Sequence, residues 1–150
     1  MLQRIQTLYL LAVTALITTT AFLPLAGVEA GQAYRELNVF GLVDAENNLQ
    51  PMWGPFVLTV IIALLALATI FLYNKRILQI RLCIFNCLMI LGFYALTGLQ
   101  IYLITQAEGG ATISVKLALA FPLVSLVLNY LAMRNIGADE TLVRSLHRLR

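Results

Sequence analysis

Between Trp53 and Tyr73 the chain runs for 21 residues, WGPFVLTVIIALLALATIFLY, without a charged side chain. At about 1.5 Å rise per residue this run reaches roughly 30 Å as a helix, the thickness of a bilayer's hydrocarbon core. In lipid a lone segment can satisfy its own N–H and C=O groups only as a helix, so the run has little other choice. Trp53 and Tyr73 stand at its two ends, where amphipathic rings prefer the headgroup region, and Lys75-Arg76 follow, marking a cytoplasmic side.

Three more apolar runs fit the same description, giving spans at about 7–25, 53–73, 82–106 and 117–133. Only 11% of the 150 residues are charged, against about 25% in an ordinary soluble domain. Basic residues alternate with the spans. Arg4 precedes the first, Lys75, Arg76 and Arg81 connect the second to the third, and Arg134, Arg144, Arg148 and Arg150 follow the fourth. The remaining two connections hold only Arg35 and Lys116. By the positive-inside rule both termini are expected on the cytoplasmic side. The net charge of +3 thus reads as topology rather than nucleic-acid binding.

The first run competes with a signal peptide, because Val28-Glu29-Ala30 offers small residues where a peptidase would cut. Its length exceeds the roughly 7–15 residues of a typical signal core, so an uncleaved helix ending near Pro24 is expected. Residues 27–52 form a small hydrophilic loop, expected on the side away from the cytoplasm, in which Asp44-Ala45-Glu46-Asn47-Asn48 reads as a turn. A short hairpin, Tyr34–Leu42 against Leu49–Met52, is compatible with it. Pro51 and Pro55 bracket the entry to the second span. Residues 74–81 read as a tight basic connection and residues 107–116 as a short loop. The expected fold class is therefore all-α: a four-span bundle over residues 1–134, followed by a cytoplasmic amphipathic tail, 135–150.

Within the spans the most polar side chains are Asn86 and Asn129, each five residues inward from Arg81 or Arg134. Equal depth on antiparallel neighbours predicts a hydrogen bond between them, with a ligand or ion site as the alternative. Thr18, Thr59 and Thr97 share a depth in the outer half; they line a shallow vestibule or bond carbonyls of their own preceding turns. Gly92, Ala95 and Gly98 allow close helix approach. Pro122 is expected to free the Ala118 carbonyl and kink the fourth span. Cys83 and Cys87, four apart in one apolar run, read as buried small residues rather than a disulfide, with lipidation of Cys83 as a minor alternative. His147 is the single histidine, which leaves no zinc or haem ligand set. No Asp, Glu, Lys, Arg or His stands inside a span, where proton relays and ion-coupled carriers place theirs. The sequence offers no catalytic, metal or cofactor set.

In the tail, Asp139 suits a helix N-cap, and Glu140, Arg144 and Arg148 follow at four-residue steps. Leu142, Leu146 and Leu149 share the other face. The segment reads as a solubilising helix, or as a docking helix whose Leu142, Arg144, Leu146, Arg148, Leu149 and Arg150 meet lipid or a partner.

The two ends, MLQRIQTLYLLA and ADETLVRSLHRLR, together resemble a family of small bacterial membrane proteins known as domain of unknown function 4293. Gln3-Arg4-Ile5-Gln6 and the pattern Asp139-Glu140, Leu142-Val143-Arg144-Ser145, Arg148-Leu149-Arg150 carry the likeness, which extends over the full length. The resemblance implies a protein of four transmembrane helices in a bacterial inner membrane, with the 27–52 loop periplasmic, and no established activity. The expected function is a non-enzymatic accessory or scaffold protein in the lipid bilayer, binding a protein partner or a second copy. A small transporter or channel subunit is the rival, and an intramembrane enzyme a distant third.

Overall fold

The computed structural model describes residues 2–30, 33–73, 75–107 and 109–148; the side chains of 2–4 and 139–148 lie outside that description. Among the described residues there are four long helices: α1 (Leu2–Phe22), α2 (Trp53–Phe71), α3 (Arg76–Ala107) and α4 (Ala120–Arg148). Each contains a window long and apolar enough to cross a membrane. They pack in a ring, α1 against α2 and α4, and α3 against the same two. The buried positions show why. They are 6, 10, 13, 17 and 20 on α1, and 55, 59, 62, 66 and 69 on α2. On α3 the run is 79, 83, 86, 90, 93 and 97, with Ile104 buried seven residues further on, and on α4 it is 122, 125, 129, 132 and 136. Steps of four and three alternate throughout, a mean of 3.5, which keeps one seam inward only in a left-handed supercoil. Outside the seam, Leu8, Leu64, Leu88 and Leu123 lie more than half exposed, a surface suited to lipid.

The all-α expectation is overturned. Five strands form one antiparallel sheet: β1 (Ala26–Ala30), β2 (Ala33–Asn38), β3 (Gly41–Asp44), β4 (Leu49–Pro51) and β5 (Thr112–Val115), in the order β4-β3-β2-β1-β5. The single strand expected over Tyr34–Leu42 is two, folded back at Val39-Phe40 so that Asn38 pairs with Gly41. The residues read as a loop before Lys116 supply β5, which pairs with β1 from some 80 positions away in the chain. Val28-Glu29-Ala30 lies in β1, an interior strand paired on both sides.

The sheet caps one end of the bundle. Its inner face places Ala26, Val28, Leu37 and Leu42 against Ile101 and Ile104 of α3. Leu25 and Val39 enter the bundle core with Ile17, Ile62 and Phe93. Leu25 also donates its N–H to the Leu37 carbonyl (2.8 Å) and accepts from the Lys116 N–H (3.0 Å), so the exit of α1 is stitched to both neighbours. Phe40 stacks on Phe56 at the start of α2, with centroids 5.0 Å apart.

Several boundaries move for local reasons. α1 ends at Phe22, before Pro24, and α3 starts at Arg76 instead of waiting for the apolar run at Leu82. Pro122 kinks nothing: α4 starts at Ala120 after a 3₁₀ turn, Leu117–Leu119, so the proline sits in a first turn, where a missing N–H breaks no helical bond. At the other end the α4 backbone runs unbroken through Asp139 to Arg148, so Asp139 is interior and caps no helix start.

Candidate functional site

Two polar groupings stand out, one inside the bundle and one on the sheet. The inward seam carries polar residues on every helix: Gln6 and Thr20, Thr59 and Thr69, Gln79, Asn86 and Thr97, Ser125 and Asn129. Some are accounted for. Thr20 and Thr59 donate to the carbonyls of Leu16 and Pro55 in their own helices (both 2.8 Å). Thr18 does the same toward Thr14 and is exposed on the outer surface of the bundle, so the expected layer of three threonines does not converge. Gln79 reaches across from α3 and donates Nε2–H to the Thr69 carbonyl (2.8 Å). That carbonyl lies in the last turn of α2, among those that no intrahelical N–H can serve. Gln79 is thus a side-chain cap for the neighbouring helix and fixes the α2–α3 corner.

The expected Asn86–Asn129 hydrogen bond is not formed. Asn129 does tie α4 to α3, but it donates to the backbone carbonyl of Cys83 (2.8 Å) and meets the Cys87 thiol at 3.1 Å. Both cysteines are free. Asn86, 1% exposed, leaves both amide atoms without a hydrogen-bond partner among the described residues. Ser125 Oγ, Thr97 Oγ1 and Asn129 Oδ1 are buried in the same condition. These atoms belong to α3 and α4 alone.

On the sheet, β1, β2 and β5 bring Glu36 and Ser114 to either side of Gly27. Lys116 ion-pairs with Glu36 and stands over the Tyr34 ring, 5.7 Å from its centre, while the Tyr34 hydroxyl donates to Glu36 (3.2 Å). The bond from Lys116 holds the Glu36 carboxyl below its usual range, and the same bond raises the Lys116 ammonium above its own. A Cβ on Gly27 would stand 2.6 Å from Ser114 Oγ and 2.9 Å from Tyr34 Oη, so the cluster closes over that position only because it lacks a side chain. Arg35 and Asp44, directly cross-strand on β2 and β3, make a second ion pair at 2.7 Å. Both basic residues of this end are thereby neutralised.

A family model described as domain of unknown function (DUF4293) matches residues 2–149. The chain belongs to that family. The match takes in all four helices, the five strands and the α4 extension, so the sheet is as much part of the family's domain as the bundle. Among curated proteins no match is found.

The proposed docking residues of the tail, Leu142, Arg144, Leu146 and Arg148, have side chains outside the described residues, and Leu149 and Arg150 lie outside them altogether. Sequence reasoning missed Gln79, Ser125 and the Tyr34–Glu36–Lys116 cluster. For Gln79 a signal existed: a polar residue in seam register just after a helix–helix corner. For Ser125 the seam spacing itself, four before Asn129, would have served. The cluster joins residues 80 positions apart and leaves no local trace.

Proposed function

We propose that this protein is a non-enzymatic accessory or scaffold protein of a bacterial cytoplasmic membrane, with both termini cytoplasmic and the sheet outside. It binds a protein partner by strand addition to β5. The orientation rests on charge. Among the described residues Lys75, Arg76, Arg81 and Arg134 stand at the end away from the sheet, while Arg35 and Lys116, at the sheet, are already in ion pairs.

The two edges of the sheet carry the binding reading. β4, three residues long and ending in Pro51, is blunted in the way proteins protect an edge. β5, Thr-Ile-Ser-Val, has high strand propensity, no proline and no charge, and its outer side pairs with no strand among the described residues. An edge of that kind supplies ready backbone donors and acceptors to an extended segment of another chain. The bundle beneath holds it at a fixed height above the membrane. Photo-crosslinkers placed at Thr112 and at Leu64, which faces outward from α2, test this in intact cells. Discrete adducts of one protein from Thr112 and none from Leu64 are expected, and an equal pattern at both positions refutes strand addition.

One observation favours a second reading, a small transporter or channel subunit: the unpartnered polar atoms of Asn86, Thr97 and Ser125 along a single interior seam. Solute flux in vesicles reconstituted with the pure protein, abolished by Asn86→Leu, would favour it over the scaffold.

A further inference from the structure

Asn129 is anchored between two turns of α3 through the Cys83 carbonyl and the Cys87 thiol, and Asn86 lies between those two residues on the same buried seam. The two amides therefore share one level of the bundle. Ser125 sits one turn away on the seam of α4, about 6 Å along the axis. All three side chains are no more than 1% exposed. The orientation of the Asn129 amide is settled by its donation to a carbonyl, which turns Oδ1 away from Cys83. What is left unmatched is two N–H donors and one oxygen on Asn86, one oxygen on Asn129 and one hydroxyl on Ser125. An unsatisfied polar atom in the interior of a membrane protein costs far more than one in contact with water.

The unmatched set is neutral and contains both donors and acceptors. A cation would meet the Asn86 N–H groups and an anion would meet two carbonyl oxygens, so neither ion suits it. A molecule that donates twice and accepts from an amide does. We infer that Asn86, Asn129 and Ser125 hold internal water between α3 and α4, linking the two asparagines, which do not hydrogen-bond to each other. A buried water typically makes about three hydrogen bonds to such groups, and the unmatched donors and acceptors of these side chains supply at least that many. The inference concerns the interior of the bundle and is independent of strand addition at β5.

Water-selective magnetisation transfer to the side-chain amides, measured by NMR on the intact protein in lipid nanodiscs, tests it. Transfer is expected to the Asn86 and Asn129 amide protons, and the Asn129 signal should lose it in Asn86→Leu. A wild-type spectrum in which neither amide receives magnetisation from water overturns the inference, whether or not the variant folds. Stability gives a second reading. Losing a water-linked interhelical contact should lower the folded-to-unfolded ratio of Asn86→Leu by about threefold to twentyfold. A ratio that rises instead marks Asn86 as a dry, uncompensated amide and also overturns it.

Discussion

Gly41 opens β3 with φ +149°, a backbone conformation that glycine alone adopts without strain. A Cβ built there would lie 2.0 Å from the Gln50 carbonyl oxygen of β4 and 3.0 Å from the Met52 nitrogen. In Gly41→Ala the strand β4 must retreat by about 1.5 Å to restore an ordinary carbon–oxygen contact. The backbone strain costs about 1–3 kcal/mol. The retreat also weakens the bonding where Gly41 pairs with Pro51 and where the Met52 N–H meets the Phe40 carbonyl (2.9 Å), at about 1 kcal/mol for each bond lost. The sum, about 3–5 kcal/mol, falls on β3 and β4, whereas β1, β2 and β5 are held by Leu25 and by Lys116 with Glu36. Backbone hydrogen exchange in detergent should therefore show the β4 amides losing about a hundredfold or more in protection, at about 1.4 kcal/mol per tenfold. The β1 amides should change little. Wild-type protection of Gln50 and Met52 in the variant would refute the reasoning, since no L-residue could then be said to crowd that strand.

Gln79→Leu removes the cap on the Thr69 carbonyl and should destabilise the bundle by about 1–3 kcal/mol, read from unfolding in mixed micelles; Gln79→Glu, which loses the amide donor, should be no better. Orientation is checked with single cysteines at Glu46, Gly109, Lys75 and Ile77 in a background lacking Cys83 and Cys87: an impermeant thiol reagent outside the cell should label the first two and spare the last two. The Glu36–Lys116 tie should respond to pH at both extremes. Because the Glu36 pKa is depressed, its contribution is complete above the ordinary carboxylate value of about 4.3 and is lost as pH falls through the lowered one. Because the Lys116 pKa is raised, its contribution is complete below about 10.4 and is lost as pH rises through the raised one. β5 exchange protection should thus be flat between those limits, and Glu36→Gln should remove its acid dependence.

The helices could be read from the chain because their cause is local. An uncharged run such as Trp53–Phe71 must satisfy its own backbone in lipid, and no distant residue is needed to decide that. The depth of Asn86 and Asn129 followed from rise per residue, and the turn at Asp44–Asn48 from its composition; Asn47, at φ +64°, sits where a turn residue should. What only the tertiary structure decided is pairing. β1, Ala-Gly-Val-Glu-Ala, has too little alternation to announce a strand, and it becomes one because β2 and β5 flank it. β5 is four residues in a glycine-flanked loop, brought into register by the distance that α2 and α3 travel out and back. The partner of Asn129 turned out to be a backbone carbonyl on the facing helix, a choice made by the rotation of α3 about its own axis. That rotation is set by the 3.5-residue seam of four helices together, and no single span contains it.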